Sequence, residues 1–128
     1  MQLKEYNRIN IFKGRKDSKP FITMQQRNGV FTISKEASKV IGIENGGMVQ
    51  LVQDENEPTN WYIEKVAKDG FNVRVYRNDH SLCFNCAALV RTILASCNGE
   101  EAYNRCPLGE AVKVGKRTLW TIVTAAIK

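Results

Sequence analysis

Phe21-Ile22-Thr23-Met24-Gln25-Gln26-Arg27-Asn28 is echoed fifty positions on by Phe71-Asn72-Val73-Arg74-Val75-Tyr76-Arg77-Asn78. After a one-residue slip, Val30-Phe31-Thr32-Ile33-Ser34 lines up with Ser81-Leu82-Cys83-Phe84-Asn85. Each stretch then runs through a helix-like segment, a glycine-marked turn, a strand-like run and a closing strand that carries Trp61 or Trp120. A repeated unit too small to close its own core packs against its twin. The sequence therefore predicts two related units in one chain, residues 20–66 and 71–126. They are preceded by an arm over 1–19, and the whole is expected as a single domain over 1–128.

The first unit can be read residue by residue. Phe21 to Gln25 is β-rich, and Arg27-Asn28-Gly29 is a hairpin signal, because Asn-Gly tolerates positive φ. Val30 to Ile33 returns as a strand, and Ser34 is a plausible N-cap, its hydroxyl taking an orphan amide of the first helical turn. Ala37, Val40 and Ile41 share one helical face, and Gly42 ends the helix. Met48, Val49, Leu51 and Val52 form the next strand. Asp54 to Asn60 is a polar loop, and Trp61, Ile63 and Val66 close the unit by alternation. In the second unit Phe71, Val73 and Val75 alternate, residues 77–80 turn, and Leu82 and Phe84 return. Asn85 is expected to cap a helix from Cys86 to about Cys97, with Leu89, Val90, Ile93 and Leu94 inward. Asn98 to Pro107 reads as a polar insertion, Ala111 to Val114 as a strand, Gly115-Lys116-Arg117 as a turn and Trp120 to Val123 as the last strand. Upstream, Tyr6, Ile9, Ile11 and Phe12 suggest a short strand, and Lys13 to Pro20 an exposed basic loop.

Of the 128 residues 43% are hydrophobic and 25% charged, an ordinary globular balance that argues against wholesale disorder. The net charge of +6 permits an anionic partner and also suits plain solubility. No apolar run approaches the ~20 residues that span a bilayer, so no membrane role is expected. Met1 to Lys19 lacks the apolar centre of a signal peptide, which points to the cytoplasm and to reduced cysteines.

Residues 20–66 resemble the AbrB/SpoVT swapped-hairpin family. The likeness is carried by Gln25-Gln26-Arg27-Asn28-Gly29-Val30-Phe31-Thr32-Ile33-Ser34-Lys35-Glu36-Ala37-Ser38-Lys39-Val40-Ile41-Gly42-Ile43, then by Gly46-Gly47-Met48-Val49-Gln50-Leu51 and Trp61-Tyr62-Ile63-Glu64-Lys65-Val66. The family pattern is a strand, a turn, a strand ending in Ile-Pro-Lys-Glu, a short helix, Leu-Gly-Ile, and a Gly-Asp turn into a hairpin. Here Ser34 and Asn85 stand where the proline would be, Ser38 where DNA-binding members often carry arginine, and Gly47 in place of the aspartate. The resemblance implies an α+β fold of mostly antiparallel strands, a pseudo-two-fold swapped-hairpin barrel with one short helix per repeat. The protein is then a monomeric pseudo-dimer or a homodimer. It also implies a non-enzymatic DNA-binding or transcription-regulator-like role, many members being regulators or antitoxins. The alternative is a protein–protein interaction or scaffold module without nucleic-acid binding, for instance of a larger bacterial or mobile-element assembly, which Ser38 in place of the arginine and the weak match of the second copy favour.

For double-stranded DNA, the residues to hold phosphates are Lys13, Arg15, Lys16 and Lys19 in the basic loop and Arg27 and Arg77 in the two hairpin turns. Arg74, Lys116 and Arg117 are weaker candidates. A solvated hairpin tip explains the same arginines without function. His80, Cys83, Cys86 and Cys106 invite a zinc reading, but no second close pair accompanies them, and buried free thiols account for the cysteines better. No catalytic residue and no cofactor are expected. There is a single histidine and no phosphate-cradling loop, and the carboxylates at Asp54, Glu55, Glu57, Glu100 and Glu101 are scattered in loops.

Overall fold

The computed structural model describes residues 19–76 and 80–128. The strand expected through Tyr6, Ile9, Ile11 and Phe12 lies outside them, as does most of the second hairpin turn.

β1 (Phe21–Gln25) and β2 (Val30–Ile33) form the first hairpin, with Ile22 opposite Ile33 and Met24 opposite Phe31. Their turn has Gly29 at φ 68°, and the Asn28 side chain accepts from the Val30 amide at 3.2 Å. Gly29 is needed twice over, because a Cβ there would also stand 2.5 Å from the Ala87 amide nitrogen.

α1 (Lys35–Ile41) starts where the sequence places it. The Ser34 hydroxyl accepts from the Ala37 amide and the Phe21 amide, each at 3.1 Å, so one side chain caps the helix and ties it to β1. Gly42, at φ 79°, ends it. β3 (Met48–Gln53) and β4 (Trp61–Val66) make the second hairpin.

β5 (Phe71–Asn72) and β6 (Arg74–Tyr76) are two parts of one extended run interrupted at Val73, whose amide and carbonyl bond Gly47 and Gly46 at 2.9 and 2.8 Å. β7 (Ser81–Asn85) leads into α2 (Ala87–Ser96). β8 (Tyr103–Val114) and β9 (Arg117–Ile122) form the last hairpin, and a single 3-10 turn covers Thr124–Ala126.

The nine strands of the described residues lie in the order β5-β3-β4-β9-β8-β1-β2-β7-β6, all pairs antiparallel. β5 and β6, neighbours in sequence, stand at the two ends of that order, so the sheet is barrel-like and nearly closed. The fold is α+β, with two α-helices among the described residues. The pairing interleaves the two segments. β1–β2 does not pair with β3–β4; instead β1 pairs with β8, β2 with β7 and β4 with β9.

The core sits inside this ribbon. Ile22, Met24, Phe31 and Ile33 meet Leu82 and Phe84 there, and Ala37, Ile41, Val90, Ile93 and Leu94 enter from the helices. Phe84 stacks on Phe31 at 4.7 Å between ring centroids and on Phe71 at 4.9 Å.

Two local expectations are corrected. Asn98 to Pro107 is not an insertion throughout: its second half, Tyr103 to Pro107, is the start of the twelve-residue β8, paired with β1 from Gln25 to Phe21. The N-cap of α2 is Cys86 rather than Asn85, and no side chain caps it. The Asn85 side chain is engaged elsewhere. It accepts from the Arg74 guanidinium at 2.5 Å and donates to the Asn28 carbonyl at 3.3 Å.

Candidate nucleic-acid interface

Lys13, Arg15, Lys16 and Arg77 lie outside the described residues. Lys19, Arg27, Arg74, Lys116 and Arg117 are all exposed. Arg27 sits in the β1–β2 turn. Because β2 and β7 run antiparallel, with Val30 opposite Asn85 and Ile33 opposite Leu82, that turn and the end of β7 toward His80 lie at opposite ends of the pair. The Arg27 turn is docked on the loop before β8, Gln26 donating to the Ala102 carbonyl at 2.7 Å. That loop carries Glu100 and Glu101, so the field at this turn is mixed in sign. Lys116 is at the tip of β8–β9. β8 runs away from the Arg27 turn toward that tip, so up to ~37 Å of strand, at ~3.4 Å per residue, lies between them.

Two arginines are already committed. Arg117 grips Glu64 with two hydrogen bonds of 2.9 and 2.7 Å, tying β9 to β4. The Gln50 amide adds a third bond to the same carboxylate at 2.7 Å. The Arg117 hydrogen bond is the main reason that the Glu64 pKa falls below its ordinary 4.5; burial opposes this, and Gln50 lowers it further. Among the described residues Glu64 is the one buried carboxylate, and no pattern in the sequence marks it. Arg74 gives one N–H to Asn85 and is otherwise exposed.

The side of β8-β1-β2-β7-β6 away from the core cluster carries a row of mostly polar residues whose centre, Thr23, Thr32 and Cys83, is buried. Direct cross-strand partners share a face. The register therefore sets Arg105, Thr23, Thr32, Cys83 and Arg74 in one row across five strands. The row ends in arginines ~19 Å apart, four strand spacings. Sequence reading passed over Arg105 because it lay in the supposed insertion. Its guanidinium stacks over the Phe21 ring at 3.6 Å. A groove of about 460 Å³ runs over this face, lined by Thr23, Thr32, Ser34, Lys35, Glu36, Tyr76 and others.

The thiols do not gather. Cys83 faces outward on β7, while Cys106 faces the core on β8, with β1 and β2 between them. Burial pushes the Cys106 thiol up to about 11. Among the described residues no group of three or more His, Cys, Asp or Glu is placed to hold a metal ion, and no helix is long and apolar enough to cross a membrane. Comparison with family models, with curated proteins and with solved structures finds no match to the chain.

Proposed function

We propose that the chain is a swapped-hairpin barrel of the AbrB/SpoVT kind completed within one molecule, and that it binds double-stranded DNA without catalysing a reaction. One observation carries the architectural half. The order strand, strand, helix, strand, strand occurs twice, and strands of one segment pair with those of the other along β1–β8, β2–β7 and β4–β9. An approximate two-fold relates the segments in this reading, with the Thr32–Cys83 pair at its axis. The split run β5–β6 matches β1, since β1 pairs with β2 and β8 while β6 and β5 pair with β7 and β3.

The DNA-binding half is supported by net charge +6 and by exposed Arg27, Arg74, Lys116 and Lys19, with Lys13, Arg15, Lys16 and Arg77 adding to them from sequence. Arg117 contributes through Glu64 rather than by contacting phosphate. The four free cysteines suit a reducing cytoplasm. The test is a salt titration of duplex binding. The logarithm of affinity should fall linearly with the logarithm of salt, by about 0.9 per phosphate neutralised, and Arg27→Ala with Arg77→Ala should lower that slope by about 2. Absence of binding at low salt removes this reading.

A second reading, a protein-interaction module, is favoured by one surface. On the outward side of β3-β4-β9-β8, Val112 and Val114 are 39% and 50% exposed beside Tyr62 and Val52. An exposed apolar patch of this kind suits a protein partner.

A further inference from the structure

Two strand pairs each lie beside a helix, β2 of the first against α2 and β7 of the second against α1, and the two junctions differ. The β1–β2 turn is closed onto α2. Its Gly29 carbonyl accepts from the Cys86 amide at 2.8 Å, and a Cβ on Gly29 would stand 2.5 Å from the Ala87 nitrogen. Between α1 and β6–β7 a groove of about 580 Å³ stands open, with Ile43, Val75 and Leu82 in its apolar wall. Val75 shows that this opening reaches the core side of the sheet. It stands directly opposite Leu82, and direct cross-strand partners share a face. Leu82 belongs to the core and is 4% exposed, yet Val75 is 50% exposed. In β1–β2 the corresponding inward pairs, Ile22 with Ile33 and Met24 with Phe31, are buried on both strands.

The polar rim of the groove is rich in donors. Lys35 and Lys39, one helical turn apart on α1, both line it, and neither ammonium has a hydrogen-bond or ion-pair partner among the described residues. The Asn45 side-chain carbonyl accepts from the Val75 amide at 3.2 Å, which leaves the Asn45 NH2 to donate. Against the two lysines stands one carboxylate among the described lining residues, Glu44.

We propose that this groove binds a small amphipathic carboxylate. Its apolar body lies against Ile43, Val75 and Leu82, and its carboxylate lies between Lys35 and Lys39. The volume falls in the range of small-molecule sites, roughly 300–1,000 Å³. Covering the apolar wall supplies most of the affinity, and the two ammoniums select a charged head over a neutral one. A bare anion or a neutral chain meets only half of the site. The inference stands whether the macromolecular partner is nucleic acid or protein.

The test titrates the isotope-labelled full chain with octanoate, octanol and acetate at neutral pH, followed by nuclear magnetic resonance. Octanoate should give saturable shifts at Gly42, Ile43, Val75 and Leu82, with nuclear Overhauser contacts from its chain to the Ile43 and Val75 methyls. Octanol should bind the same place roughly fivefold more weakly, as two exposed charge contacts imply, and acetate should not shift these signals. Lys35→Met with Lys39→Met keeps the apolar stems of two exposed side chains. It should bring octanoate down to the level of octanol and leave octanol unchanged. Equal binding of octanol and octanoate by the unaltered protein would reduce the site to an apolar groove and overturn the proposal. Acetate shifts matching those of octanoate would mean that the lysines attract any anion, which overturns it as well. So would octanoate contacts that are absent, or confined to the other exposed valines, Val112 and Val114. All three of these outcomes are read on the unaltered chain, so none depends on the double variant folding.

Discussion

The helices of the two segments begin and end differently. α1 has seven residues and both of its ends are fixed locally: Ser34 caps its start, the Ser38 hydroxyl bonds back to the Ser34 carbonyl at 2.9 Å, and Gly42 turns left-handed after it. α2 has ten residues and begins at Cys86 with no side-chain cap. It ends through Asn98 at φ 54°, with the Gly99 amide bonded to the Leu94 carbonyl at 2.8 Å. α2 lacks only the side-chain cap at its start, and there the burial of Val90, Ile93 and Leu94 in the core, which Ala37 and Ile41 of α1 share, holds it in place. The start of α1 is fixed by a side-chain hydrogen bond as well as by packing, and the start of α2 by packing without one. Chains tolerate such a division because most helix stability in proteins comes from the buried face.

The packing side of that contrast should give the largest effect. Phe84 lies between Phe31 and Phe71 and is 1% exposed. Phe84→Ala is expected to cost about 3–5 kcal/mol in urea unfolding with the slope unchanged, and the half-buried Phe71→Ala distinctly less. Equal losses at the two sites would mean that the stack is not centred on Phe84. The capping side comes next. Ser34→Ala should cost about 1–2 kcal/mol, because the Ala37 and Phe21 amides both lose their acceptor. The reverse change sharpens the comparison: Cys86→Ser supplies the missing cap and should gain about 0.5–1 kcal/mol. No gain would show that packing alone already fixes the start of α2.

The way the sequence could be read follows the same division. The Asn28-Gly29 turn, the Ser34 cap on Ala37 and the Gly42 stop each act within four residues, so those hydrogen bonds of the first segment are legible in the sequence, whereas the Ser34 bond to Phe21 and the approach of Ala87 to Gly29 are not. The second segment was less legible. Asn85 looked like a cap, but its side chain is drawn off by Arg74 and Asn28, both distant in sequence. Tyr103 to Pro107 looked like a loop because Asn104 and Pro107 are poor strand residues. Asn104 is buried only because its side chain donates to the Glu101 carbonyl and accepts from the Lys128 amide, and Pro107 sits where β8 is about to exchange β1 for β9. Of the candidate interface, the sequence showed which residues are basic but not which are occupied. Glu64 claims Arg117 from fifty-three positions away, a pairing that exists only once β4 lies beside β9.

That ion pair gives the smallest expected effect, visible in its pH dependence. The folded-state pKa of Glu64 is lowered, so its contribution to stability is complete above the ordinary 4.5 and is lost as pH falls below it through the folded value. Arg117→Ala should lower the melting temperature slightly at neutral pH and flatten the acid limb of the stability profile. An unchanged acid limb would assign that limb to other carboxylates.

The central claim is that the segments 20–66 and 71–126 share one sheet within one chain. The direct measurement is the set of nuclear Overhauser contacts between β2 and β7 in an equal mixture of isotope-labelled and unlabelled protein. The account expects Phe31 to meet Phe84 and Thr32 to meet Cys83 within labelled molecules only. Strand contacts confined to each segment separately, or appearing between labelled and unlabelled chains, would contradict it.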